Sequence, residues 1–143
     1  MLFLPLLDSD WKLIKPGSNK YRLSLNGLLI LSIAGLAVFK PDYANYALAS
    51  LIFTALPEEW FFRAYFLSRL ESIIRQPLYA NLLTSCLFAL LHIPTQGWFG
   101  LAVFFPSLLY GWLYQQNRDL ILVILLHCLS NLVFVLFIRP GLF

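Results

Sequence analysis

The sequence predicts an all-α fold, a polytopic bundle of about five transmembrane helices in a single integral-membrane domain. Three observations carry this prediction. The 143-residue chain is 60% hydrophobic and only 12% charged, where a soluble domain averages roughly 25% charged residues. Its mean hydropathy is +0.77. Its apolar residues fall in runs near the roughly 17–25 residues that a helix needs to cross a bilayer. Such a chain cannot cover itself with polar surface in water, and its length suits one domain.

The elements follow in order. Residues 1–10 are apolar but too few to span, so residues 1–23 are expected to form an interfacial and cytoplasmic segment. MLFLPLLDSDWK lacks the basic start and small-residue cleavage site of a signal peptide. The bundle is expected over 24–138. A first helix from Ser24 to Phe39 ends at Lys40-Pro41-Asp42. A second runs from Tyr43 towards Leu70, with Pro57 as a kink. A third runs from Pro77 to Ile93 and is expected to stop at Pro94. The fourth spans Trp98–Tyr114 and the fifth Leu120–Ile138.

Basic residues set an expected orientation. With the N-terminus inside, Lys12, Lys15, Lys20, Arg22, Arg69, Arg75 and Arg118 are cytoplasmic, and Lys40 and Arg139 are outside. That imbalance predicts N-in, C-out. Trp11, Trp98 and Trp112 lie near helix ends, as interfacial anchors do. The basic residues form no dense run, so nucleic acid is not an expected partner. Cys86 and Cys128 lie in apolar segments without ligand spacing and read as small buried fillers.

The informative residues are those that a bilayer disfavours. One charge at the centre of a membrane helix costs roughly 2.5–3.5 kcal/mol on insertion scales. The stretch LPEEWFFRAYF, residues 56–66, holds three. Glu59 and Arg63 are spaced i, i+4 and can pair on one face. Glu58 is turned about 100° away and has no such local partner, which suits a general base. His92 and Phe88 sit one turn apart on the third helix, and His127 and Asn131 one turn apart on the fifth. At 1.5 Å per residue, Glu58, His92 and His127 lie roughly 18, 22 and 12 Å from the predicted cytoplasmic helix ends, all inside the hydrocarbon slab. Each has a bland reading beside the chemical one. A membrane histidine can be a satisfied helix–helix hydrogen bond, Glu59–Arg63 a structural pair, and Phe88 plain packing. Taken together, these are residue types that move protons or stabilise anions.

A Glu and a His on different helices can hold one water and take its proton. A second His with an amide one turn away can donate to the oxyanion of a tetrahedral intermediate. That combination fits hydrolysis of a peptide bond. A serine nucleophile fits less well, because a mid-helix hydroxyl such as that of Ser130 often bonds its own i−4 carbonyl. Glu58, His92 and His127 also form a His₂Glu set of the kind that holds catalytic zinc. Without an HExxH spacing to enforce a site, the metal-free reading is preferred and zinc is the alternative.

EEWFFR, FALLH and HCLSN match, in order, the EExxxR, FxxxH and HxxxN motifs of the CAAX-protease and bacteriocin-processing family. The chain therefore resembles the type II prenyl-protein endopeptidases, across the span from Glu58 to Asn131. The resemblance implies a glutamate-dependent intramembrane peptidase. Glu58 and His92 would activate water, His127 and Asn131 would form the oxyanion site, and Glu59 and Arg63 would support the site or the substrate. There are departures. Ala64 stands where relatives commonly have Gly after the motif arginine. The chain has about five expected spans where many relatives have six to eight, so a homo-oligomer is a plausible way to complete the bundle. The compact form is similar to bacterial members, which implies the bacterial cytoplasmic membrane and a membrane-anchored or lipidated protein substrate, cut near its C-terminal tail. Phe61, Phe62, Phe104 and Phe105 are expected to offer an aromatic surface to such a peptide. Two other function classes stand beside the peptidase. One is a non-catalytic scaffold or bacteriocin-immunity protein. The other is a small proton-coupled carrier, disfavoured because no internal repeat is visible.

Overall fold

A computed structural model describes residues 4–17 and 20–138; Arg139 and residues 1–3, for which expectations were stated above, lie outside the described residues. The described residues are helical almost throughout, with no strand among them. Helix α1 is Leu4–Leu7 and α2 is Arg22–Phe39. A 3₁₀ turn at Pro41–Tyr43 leads into α3, residues 44–74. Helix α4 is Pro77–Gln96 and α5 is Phe104–Asn117, joined by a 3₁₀ stretch at Gly97–Val103. Helix α6 is Leu120–Val133, and it continues as a π-helical turn, Phe134–Ile138.

The all-α bundle is the architecture predicted. Three helical runs are long and apolar enough to cross a membrane: Arg22–Phe39, Pro77–Asn117 and Leu120–Phe137. The middle run contains the expected third and fourth spans. It folds back at Gly97, whose φ of +62° a side chain would resist, so that α5 packs on α4. The expected second span is helical but is not among the three. Its Glu58, Glu59 and Arg63 make it too polar for lipid, and Glu59 and Arg63 are fully buried in protein instead.

Pro94 does not stop α4, which continues to Gln96 with the proline inside its last turn. A proline removes one backbone donor, and Gly97 is what ends the helix, its N–H closing onto Ile93 O. At Pro57 the chain likewise stays helical. Its neighbours Ser50–Ala55 and Trp60–Leu67 are π-helical, and Leu56 N–H bonds Leu51 O, five residues back. The wider turn absorbs the missing donor and shifts which side chains face inward.

Helix α6 is the hub: α2, α3 and α5 pack against it, and α3 also contacts α4. One core cluster joins Ala64, Leu67, Ala80, Tyr110, Tyr114 and Val123. Large apolar side chains cover the outside, with Phe39 83% and Phe105 73% exposed. A surface of that kind is what hydrocarbon solvates. Phe61 and Phe62 depart from expectation, because they are buried against Phe88 rather than displayed. Cys128 is buried as expected, whereas Cys86 is exposed. Trp98 and Trp112 are exposed. Trp11 serves instead as a tertiary anchor, donating from Nε1 to Ala64 O at 3.0 Å and packing edge-on against Trp60 and Tyr65.

Candidate active site

Glu58 and Glu59 stand side by side in α3, at the end of a short α-helical stretch between two π-helical ones. Their environments differ sharply. Glu59 is fully buried. Its Oε2 lies 2.9 Å from Arg63 Nε, an ion pair between two fully buried side chains rather than an aligned hydrogen bond. Its Oε1 accepts from His127 Nδ1 at 2.8 Å. Arg63 Nη2 donates to Ser107 Oγ at 3.0 Å, and the guanidinium lies 5.3 Å from the centre of the Phe88 ring. The i, i+4 pair expected from the sequence therefore forms, and it is one link in a network that joins three helices.

Glu58 points to the two histidines. Its Oε2 lies 4.0 Å from His92 Nε2 and 3.9 Å from His127 Nε2, and it has no hydrogen-bond partner among the described residues. The Nδ1 bonds fix what the facing nitrogens can do. His92 Nδ1 contacts Phe88 O at 2.8 Å. A carbonyl only accepts, so Nδ1 carries the proton and neutral Nε2 is an acceptor. His127 Nδ1 likewise donates to the arginine-paired carboxylate of Glu59, so its Nε2 carries a proton only as the imidazolium. A carboxylate oxygen and two ring nitrogens thus converge with more acceptors than donors. Gaps of about 4 Å between polar atoms are the spacing at which a water bridges.

Phe88 buttresses this cluster, with its ring centre 4.5 Å from that of His92 and 6.2 Å from that of His127. Tyr110 stacks on His127 at 5.8 Å from the other side. Gly100 sets the place of His92: a Cβ there would come within 2.8 Å of the His92 backbone, so only glycine lets the 3₁₀ stretch pack against that turn.

Both imidazoles open onto a cavity of about 490 Å³, also lined by Tyr46, Thr54, Phe88, Phe99, Val103, Ser107, Tyr110, Ser130, Asn131 and Phe134. Its lining is mainly apolar with a few polar side chains, as ligand sites commonly are. A larger and more open groove of about 820 Å³, lined by Lys20, Tyr21, Arg22 and Asn117, has no histidine in its lining.

The structure brings together Glu58, Glu59, Arg63, Phe88, His92 and His127. Asn131 lines the same cavity, but its Nδ2 donates to Ser50 Oγ at 3.0 Å rather than joining the Glu58 cluster. Ser130 does not bond its own helix. It accepts from the Tyr110 hydroxyl at 2.6 Å. The fourth predicted helix forms as α5, but the sequence reading named none of its residues at the site, where it supplies Ser107 and Tyr110. Ser107, Tyr110 and Tyr114 recur at three- and four-residue steps along α5, a stripe of hydroxyls on its buried face. Among the described residues no group of three His, Cys, Asp or Glu side chains is placed to hold a metal ion.

An all-helical membrane bundle with buried charge, and with a carboxylate facing two histidines that line a cavity, has the build of an intramembrane hydrolase. The family comparison gives the particular kind: residues 40–133 match the model for type II CAAX prenyl endopeptidase, Rce1-like. The chain belongs to that family, and it is an integral-membrane protease of the CAAX type acting on membrane-associated protein. No curated protein and no solved structure matches it.

Proposed function

We propose that the protein is a metal-free, glutamate-dependent endopeptidase that cuts a membrane-anchored or lipidated protein near its C-terminal tail. The observation that carries this reading is the unpartnered Glu58 Oε2, faced by the Nε2 atoms of His92 and His127 at 4.0 and 3.9 Å. A water held there donates one O–H to Glu58 and the other to His92. Glu58 takes the first proton as the water oxygen attacks the scissile carbonyl carbon. The carbonyl π pair moves to oxygen. His127, as the imidazolium braced by Glu59, and the second N–H of the Asn131 amide stabilise that oxyanion. Collapse breaks the C–N bond, and Glu58 returns its proton to the leaving nitrogen. Glu59 and Arg63 hold His127 in place without touching substrate. The apolar walls, Phe99, Val103 and Phe134 among them, suit a lipidic or transmembrane tail. The basic residues favour an N-terminus on the cytoplasmic side.

The test is a matched cleavage assay in reconstituted membranes. Wild type, Glu58→Gln and His92→Ala are compared on prenylated and tail-anchored peptides, with and without a chelator. Cleavage that vanishes in Glu58→Gln, falls in His92→Ala and survives chelation is the expected result. Cleavage unchanged in both variants, or lost on chelation and restored by zinc, overturns the mechanism.

A further inference from the structure

The network around Arg63 reaches the cavity at one residue that the motifs do not contain. Arg63 is fully buried, so its charge meets no substrate directly. Its Nη2 donates to Ser107 Oγ at 3.0 Å, and Ser107, though 1% exposed, lines the cavity that His92 and His127 also line, as Arg63 does not. Among the described residues this is the only hydrogen bond the Ser107 hydroxyl makes, and it is the accepting partner.

Ser50 and Ser130 also accept from side chains, but from neutral groups, whereas Ser107 accepts from a guanidinium. Ser32, Ser72 and Thr84 each donate to a backbone carbonyl three or four residues back, Leu28 O, Arg69 O and Ala80 O respectively. Side chains of this kind commonly spend their proton that way. Ser107 leaves its proton uncommitted while one oxygen lone pair is held by a guanidinium. Accepting from a cation polarises a hydroxyl and makes it a better donor. The two imidazole nitrogens nearby are acceptors when neutral, so the cavity wants a donor that does not depend on histidine protonation.

We infer that Ser107 is a catalytic hydrogen-bond donor to the scissile carbonyl oxygen, carrying the buried charge of Arg63 to the developing oxyanion. This role rests on the hydrolytic reading of the Glu58 site. It adds a donor on α5 to those expected on α6, so the carbonyl is gripped from two helices.

The experiment is a cycle that pairs a change in the enzyme with a change in the substrate. Ser107→Ala and wild type are assayed on a prenylated peptide, and on the same peptide with the scissile oxygen replaced by sulfur, a poor acceptor. A tail-anchored pair serves in the same way if that is the peptide cut. Loss of one oxyanion-hole donor costs about 10²–10³-fold in turnover. The expected result is a loss on the order of 10²-fold on the amide with KM little changed, a much smaller loss on the thioamide, and recovery on the amide in Ser107→Thr. A residue that merely anchors Arg63 gives equal losses on both substrates, and that result overturns the inference. Ser107→Cys, similar in shape but a weak donor, carries the same cycle if the alanine variant does not fold. Full activity of Ser107→Ala on the amide overturns the role of Ser107 alone. Failure of wild type to cut any peptide overturns the tail-cleavage reading and this role with it.

Discussion

Two buried polar clusters tie α6 to its neighbours, and they are built to opposite ends. At the start of α6, Asp119 is 1% exposed. Its Oδ1 accepts from the backbone N–H groups of Ile121 and Leu122 at 3.1 and 3.2 Å, capping the helix. Its Oδ2 accepts from Asn26 Nδ2 at 3.1 Å and lies 3.5 Å from Arg22 Nε, latching α2 in place. Both carboxylate oxygens are occupied. Two turns further along α6, His127 meets Glu59 and Glu58. Glu59 is held on both oxygens, Oε1 by the hydrogen bond from His127 and Oε2 by the ion pair with Arg63, whereas the facing oxygen of Glu58 has only the two imidazoles at about 4 Å. The difference separates structure from chemistry. A buried carboxylate kept for stability is saturated, because each missing bond costs about 1–3 kcal/mol or more. A carboxylate kept for proton transfer has to leave an oxygen open, and its neighbours must carry the structural load.

The sharpest break of this comparison is at Glu58 itself. Glu58→Gln lowers turnover by about 10²–10⁴-fold, the usual contribution of a general base, while its thermal midpoint stays near that of wild type. A large drop in midpoint would place Glu58 with the saturated carboxylates. Next comes Arg63→Ala, which leaves Glu59 buried without its cation. Breaking a buried pair on one side costs about 3–5 kcal/mol, read as a fall in stability in detergent or bilayer, with activity lost alongside. Glu59→Gln with Arg63→Met should recover part of that stability but not the activity, since His127 loses its anchor.

Asp119→Ala tests the other cluster. It removes a cap worth about 0.5–2 kcal/mol and the latch to α2, so stability falls while turnover per folded molecule holds. A selective loss of turnover would show that the two clusters are coupled. The smallest effect lies outside the membrane, at Asp8. Arg69 donates to its carboxylate, from Nε at 2.9 Å, and this holds the Asp8 carboxyl below its ordinary value of 3.8. The lowered folded-state value means the contact contributes in full above pH 3.8 and is lost as pH falls through that lowered value. The midpoint of wild type should therefore fall slightly more steeply on acidification than that of Asp8→Asn.

How much of this was legible beforehand differs by residue. Glu59–Arg63 was readable because i, i+4 proximity is a property of the helix itself. Phe88 and His92 share a face for the same local reason, and the Nδ1 contact of His92 runs along its own helix to Phe88 O. The burial of Phe61 and Phe62 was not readable. The π-helical turn Trp60–Leu67 rotates that face inward, and nothing in the local composition announces it. Nor was the partner of Asn131. Its spacing from His127 put both on one face, but Ser50 on α3 supplies the hydrogen-bond acceptor that only tertiary packing brings near. The step from Ser107 to Tyr110 and Tyr114 marks an inward face, but that Ser107 meets Arg63 there follows only from the packing of α5 on α3.

The sequence by itself determined the solvent, the helices and the chemical types at depth. Hydropathy and the cost of burying charge act residue by residue and leave their mark on composition. The tertiary structure decided the division of labour between adjacent glutamates. Whether a carboxylate is saturated or open depends on donors brought in from other helices, here His127 from α6 and, through Arg63, Ser107 from α5. No spacing along one helix specifies those meetings, because they follow from how the helices cross.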